Sequence, residues 1–393
     1  MKSAPEHGSK KSREPIKSRR VYYISGFDPR GAAYYHRLYK DEAEKQGANI
    51  GVSMEVGSRS KLAPHLHSWC IRSTWHQHTI NTDYRFLSWD DIVRQNWETN
   101  IFRLLANMLM GYAGYASCGA FGRIRASHRG PFFGMLYPIA FLALIAILSL
   151  LVGGALAVTG ISLGLHAATS CALGLIAATA CGWMGLKQAD RLGVLWLLRT
   201  GLAVITWGES MPESLSQRII EFSELIKRDQ EEAACDEVIL VGHSVGSILA
   251  VSVLARMLEN STENQTRNLI LVTLGQCIPL LSLVPNAAAF RQDLKSLAEH
   301  PSVPWLDMAA RADPLCFSQI SPAEALDIDS SAVKWPRMHV VRPFRMFSPE
   351  KYKTLRRNKL RLHFQYLMSS ELQTDYDYFL MTAGPYRMPL SGS

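Results

Sequence analysis

The sequence predicts an α/β protein: a mostly parallel sheet flanked by helices and interrupted by a two-helix transmembrane hairpin. Three observations predict it. Residues 130–186 contain no Asp, Glu, Lys or Arg. Short apolar segments of strand character lie on both sides of that stretch, at 21–25, 49–56 and 84–88 before it and from 238 onward after it. One of them, in 238–250 (VILVGHSVGSILA), runs into a glycine-flanked serine and then into an apolar helical pattern. The whole chain has 393 residues, a net charge of +8, 48% hydrophobic residues and 19% charged ones. That composition excludes a disordered chain, and a soluble domain would carry about 25% charged residues.

The uncharged stretch is long enough for two spans of about 20 residues each and a turn. Residues 132–158 read as the first span and 162–186 as the second, which is rich in Gly, Ala and Ser, the residues that let helices approach closely in lipid. Arg123, Arg125 and Arg129 precede the pair, Lys187, Arg191 and Arg199 follow it, and the connecting turn is uncharged. The positive-inside rule then puts both termini and the remaining domain in the cytoplasm. Residues 101–120 read as an interfacial helix. Residues 192–207 are ambiguous between an interfacial helix and a third span, but strands before and after the insertion must join one sheet, so the number of spans is even and a hairpin is expected.

Residues 1–20 hold seven basic and two acidic side chains with no apolar run behind them, so they read as a disordered basic tail rather than a signal peptide. The tail is either a solvated arm or an arm drawn to anionic lipid; with no recognition motif beside it, nucleic acid is not an expected partner. The expected organisation is this tail, a first part of the α/β domain at 21–100, a membrane-associated insertion at 101–207, a second part at 208–385 and a short tail at 386–393. Residues 212–232 read as an amphipathic, charge-rich helix of the domain. The seven cysteines form neither a disulfide framework nor a CxxC metal pattern, which suggests a reduced, cytosol-facing protein.

In Gly242-His243-Ser244-Val245-Gly246 the serine stands between a strand and a helix, the context of a nucleophile elbow. Glycines flank it because so sharp a turn leaves no room for a Cβ, and the helix behind offers free N–H groups to a developing oxyanion. Residues 160–164 (GISLG) match the same pattern but sit at the membrane turn with no strand before them, so the context and not the pattern carries the signal. His243 reads as a packing or hydrogen-bonding residue whose side chain points away from that of Ser244.

Around this elbow the chain resembles the α/β-hydrolase superfamily, in particular its lipases and esterases, over residues 20–100 and 208–370 and outside the hairpin. The resemblance implies an α/β-hydrolase-like sheet and a triad in the order serine, acid, histidine. Strands are expected at 268–275, 303–308 and 338–347. The acid is then Asp313, in the loop with Pro314, or Asp307, closer to the strand. His363 is the base, while His339 lies inside a strand. The order and spacing of Ser244, Asp313 and His363 are similar to those of lipases. The oxyanion donors would be the amides of Val245 and of Phe27, in the loop after 21–25; the chain departs there from the HGGG pattern of many esterases. Arg30 in that loop either binds an anionic head group or pairs with Asp28.

Other constellations are weaker. His65 and His67, with His76 and His78 beyond Cys70, offer a strand-borne zinc arrangement, but no carboxylate accompanies them, and Trp69 and Trp75 make a membrane-proximal surface or lid the better reading. Asp90 and Asp91 read as a helix N-cap. No metal and no cofactor is expected, and no phosphate-binding glycine loop is present. The expectation is a membrane-tethered serine hydrolase acting on an acyl ester, a lipid or lysolipid. The alternatives are a thioesterase or amidase with the same site, or an inactive scaffold that keeps the fold for partners at the membrane.

Overall fold

The computed structural model describes residues 15–127, 129–259, 261–326 and 333–389. Its strands are β1 (Ser18–Ile24), β2 (Ser53–Val56), β3 (Ser60–Ala63), β4 (Leu66–Trp75), β5 (His78–Leu87), β6 (Glu237–His243), β7 (Leu269–Leu274), β8 (Trp305–Ala310) and β9 (Arg337–Val341). They form one mixed sheet in the order β2-β4-β5-β1-β6-β7-β8-β9, with β3 also paired to β4. From β5 to β9 all neighbours are parallel; β2, β3 and β4 pair antiparallel.

The period-2 alternation of strands builds two cores, one on each face. Tyr22, Ile24, Val238 and Leu240 point into one cluster with the helices Gly246–Leu258 and Glu213–Glu232. Val21, Tyr23, Ile239 and Val241 point into the other, under the helix Gly31–Ile50. The expected helix at 212–232 is present, with Leu215, Ile219, Phe222 and Ile226 buried at helical spacing.

Several boundaries differ from the sequence expectation. The sheet is mixed because residues 66–87 fold as a ten-on-ten antiparallel hairpin turning at His76, whose φ is 56°. The strand expected at 49–56 starts at Ser53, since the preceding helix continues to Ile50 and is capped by Gly51 at φ 70°. The strand expected at 338–347 stops at Val341, because Pro343 has no N–H for the ladder and opens a helical turn instead. Arg19 and Arg20, placed by sequence in a disordered tail, are buried in β1. Arg19 pairs with Glu237 at 2.7 Å and donates to the carbonyls of Gly384 and Tyr386. The C-terminal tail is likewise drawn in: the Met388 amide donates to Glu237 Oε1 at 2.7 Å. Residues 1–14 and 390–393 of the two expected tails lie outside the described residues.

The uncharged stretch forms two helices, Arg129–Ser162 and Ala167–Arg191, each long and apolar enough to cross a membrane. The first runs past both limits expected at 132–158; the second starts later than the expected 162 and ends beyond 186. They pack through small residues: a Cβ on Gly153 would lie 2.6 Å from the carbonyl oxygen of Gly174, and one on Gly160 would lie 2.7 Å from Ser170 Oγ. Their outer faces stay open, with Leu150 72% and Leu175 69% exposed, unlike core helices of a soluble domain. The helix Val194–Glu209 is the opposite case. Its Val194, Leu198 and Val204 are buried in the main core, so it belongs to the domain. The helix Ile101–Ser117 also docks there, through Leu104, Met108, Tyr112 and Tyr115, while Phe102 and Leu109 face outward.

The contact between the long helices gives a paired test. Gly174→Leu is expected to destabilise the detergent-solubilised protein by roughly 1–3 kcal/mol through overpacking. Gly154→Leu, where a Cβ meets nothing within 4 Å, is expected to leave it unchanged. Thermal unfolding of both variants in the same micelles checks this.

Candidate active site

Three loops at the carboxyl ends of parallel strands build the site. Residues 25–30 follow β1, the Ser244 turn follows β6, and residues 311–317 follow β8. A fourth element, the short helix Lys359–His363, closes over them. Ser244 adopts φ 57°, a left-handed conformation that costs a residue with a side chain of order 1–3 kcal/mol. The glycines around it are required by close approach. A Cβ on Gly242 would lie 2.7 Å from Ser247 Cα and 2.8 Å from Ala250 Cβ, and one on Gly246 would collide with the carbonyl oxygens of Ile24 and Ser25. Gly26 faces the serine itself, with its Cβ position 3.1 Å from Ser244 Cβ.

Asp313 and His363 meet in the interior. His363 Nδ1 lies 2.7 Å from Asp313 Oδ2, and both side chains are buried. The other carboxylate oxygen of Asp313 accepts the Leu315 amide at 3.0 Å, inside the loop that Pro314 shapes. Burial alone would push the Asp313 carboxyl up, but the facing His363 ring and the hydrogen bonds from His363 and Leu315 outweigh it and hold the carboxyl below its usual range. The Tyr366 hydroxyl donates to Asp313 Oδ2 at 3.1 Å and accepts the Ala310 amide at 2.9 Å, tying the acid loop to the end of β8. Sequence reasoning missed Tyr366. Its signal was modest: a hydroxyl-bearing aromatic three residues after His363.

Asp307, the other acid considered, is not near His363 in the hydrogen-bond network. It sits within β8, fully buried, and accepts from Thr273 Oγ1 at 2.6 Å on β7, with its second oxygen unpartnered. Desolvation pushes its pKa up to about 7.

Ser244 and His363 line one cavity, and the serine Oγ lies 3.7 Å from Cys277 Sγ. Burial pushes the Cys277 thiol up to about 12, so it stays a neutral thiol. Phe27 lines the same cavity, and Val245 caps the helix behind the serine. Neither backbone amide has a hydrogen-bond acceptor among the described residues. His243 turns away from the serine: its Nε2 contacts the carbonyl oxygen of His363 at 3.1 Å, and its ring packs against Phe364 and Tyr366. Burial pulls its pKa down to about 3, so it is a neutral support for the His363 segment.

Arg30 is used internally. It clamps Asp28, with Nη2 at 2.6 Å from Oδ2, and lies over the rings of Tyr34, Trp196 and Phe364. The four clustered histidines are separated by the fold. His65 and His67 fall at one end of β4, and His76 and His78 at the turn after its other end, about 30 Å away at strand rise. This overturns the zinc arrangement, and the hairpin they occupy lies at the antiparallel edge of the sheet rather than over the site. Asp90 and Asp91 occupy the first turn of the helix Asp90–Gln95 rather than its cap, and Asp91 is held by Arg218 through two contacts of 2.8 Å.

Comparison with family models, with curated proteins and with solved structures found no match to the chain.

The environment of Asp307 sets a pH dependence of stability. Folding raises its pKa from about 3.9 to about 7, so between these values the folded state binds the proton more tightly than the unfolded one. Stability therefore falls as pH rises through that window and stays lower above it. Asp307→Asn is expected to remove most of this slope and to be stabilising at pH 8, by on the order of a few kcal/mol. Unfolding midpoints of both proteins at pH 5 and pH 8 measure it.

Proposed function

We propose that the chain is a membrane-tethered serine hydrolase of the α/β-hydrolase type, cleaving an acyl ester through Ser244, His363 and Asp313. One observation carries the reading: a buried Asp313–His363 pair and a serine strained to φ 57° open on one cavity. In this reading Ser244 Oγ attacks the acyl carbonyl while His363 Nε2 takes its proton. Asp313 holds the opposite ring nitrogen protonated and favours the imidazolium that forms. The amides of Phe27 and Val245 receive the oxyanion. The tetrahedral species collapses as His363 returns the proton to the leaving alcohol, leaving Ser244 acylated. A water, deprotonated by His363, then releases the acid and restores the serine.

The membrane part of the reading rests on the two apolar helices and their flanks. β1 and β5 precede them in the chain and β6 follows, yet β1 pairs with both. A chain that returns to the same sheet enters and leaves a bilayer on one side, as two spans require. The basic residues on both flanks favour the cytoplasmic side. A thioester or amide passes through the same steps, but an apolar cavity beside a membrane anchor favours a lipid-derived ester.

Labelling with a fluorescent fluorophosphonate tests the nucleophile: wild-type protein is expected to label and Ser244→Ala is not. With an ester substrate, Asp313→Asn is expected to lower kcat on the order of 10³–10⁴-fold, and Asp307→Asn to change it less than about threefold. Equal labelling of wild type and Ser244→Ala would move the nucleophile elsewhere. No labelling of a folded wild type would leave the inactive scaffold as the reading.

A further inference from the structure

The hairpin is more than a tether, because its feet are parts of the cavity. The cavity at Ser244 is a narrow cleft of about 80 Å³ that opens to solvent. Beyond the serine its wall is the start of the helix Arg129–Ser162, with Pro131, Gly134, Met135 and Pro138 lining it. That helix is docked hard on the acid loop. A Cβ on Gly134 would lie 2.5 Å from the carbonyl oxygen of Pro314, the residue after Asp313. The carbonyl of Met135 accepts the Tyr112 hydroxyl at 3.0 Å. The other foot is fastened too: Trp196, just after the hairpin, donates from Nε1 to the carbonyl of Phe27 at 3.0 Å.

Away from Ser244 and His363 the lining is largely apolar, with Asp28, Thr200 and the hydroxyls of Tyr35 and Tyr112 as its polar groups. Its one acid away from the triad, Asp28, is consumed by Arg30 and by the Tyr35 hydroxyl at 2.7 Å. Among the described residues no Lys or Arg lines the cavity, so the space suits an uncharged chain. The same helix turns lipid-like almost at once. Pro138 still faces the cavity, and Leu144 and Ile147 are already 51% and 55% exposed. At 1.5 Å per residue, Pro138 and Leu144 are only about 9 Å apart along the axis.

We infer that the first turns of the hairpin form the acyl-chain wall of the active site, with Met135 setting the chain length accepted. Resting on the proposed hydrolase reading, this gives the substrate class: a neutral long-chain acyl ester whose chain lies along the helix that enters the bilayer. Met135 touches the chain and not the reacting atoms, so it governs specificity rather than the chemistry.

The test uses the full-length protein in micelles with p-nitrophenyl esters from two to sixteen carbons. Met135→Trp is expected to lower the twelve-carbon to two-carbon ratio of kcat/KM at least tenfold. Met135→Ala is expected to move the preferred length upward, so the two variants shift in opposite directions. A ratio within twofold of wild type in both would overturn the inference while leaving the hydrolase reading intact. A second readout needs no turnover: Ser244→Ala is irradiated with a diazirine-bearing long-chain fatty acid. Crosslinks within residues 131–138 are expected; crosslinks confined to the outer faces of the hairpin would overturn the inference. Should the wild type hydrolyse no ester, the hydrolase reading fails, and crosslinks in 131–138 would still support the chain-binding wall.

Discussion

Everything in this molecule depends on the central position of β1. It pairs in parallel with β5 on one side and β6 on the other, in continuous register over six residues each way. That pairing puts the loop after β1 beside the turn after β6, and so Gly26 against Ser244. The collision that a Cβ on Gly246 would suffer with Ile24 and Ser25 is the same constraint seen from the helix side. A parallel pair can be this close only if the residues where the chains separate have no side chains, and the glycines supply that.

The pairing also determines what the uncharged segment is able to be. About 150 residues separate β5 from β6, yet both must return to β1. The insertion therefore begins and ends at one place on the domain, and its flanking segments pack where the strands end. The cavity beside Ser244 is walled by those flanks as a direct result. Chain connectivity, rather than any dedicated lid motif, brings an apolar helix to the serine.

The polar interior follows a consistent rule: each buried charge is neutralised by a partner or loses its charge. Arg19 has Glu237, Arg30 has Asp28, and Asp313 has His363 with the Leu315 amide. Some buried groups lack a full set of partners, and two of them stand near the site. His243 Nδ1 and Asp307 Oδ2 are unpartnered, and desolvation shifts each toward its neutral form, to about 3 and about 7. The low dielectric that makes Asp313–His363 a strong pair makes these two groups surrender their charge.

The sequence by itself determined what is local or periodic. A charge-free run of 57 residues, two residues per turn of the pleat in β1, β6 and β7, and a glycine-flanked serine between strand and helix each have their cause within a few residues. The elbow, the two long helices and the parallel strands from β6 to β8 were legible for that reason. The antiparallel hairpin β4–β5 was not, because its alternation was masked by histidines and tryptophans that drew a chemical reading. The tail residues Arg19 and Arg20 were misread because their partners, Glu237 and Asp83, lie 218 and 63 residues away. Only the tertiary structure shows that Asp313, and not Asp307, contacts His363. Asp307 lies within β8 and Asp313 in the loop after it, and what separates them is where the chain bends after β8 and which carboxylate then meets a histidine 50 residues on. It alone decided, too, that Arg30 is spent on Asp28 and that the helix Arg129–Ser162 reaches down to Pro314, since long-range contact is a property of packing that no local pattern encodes.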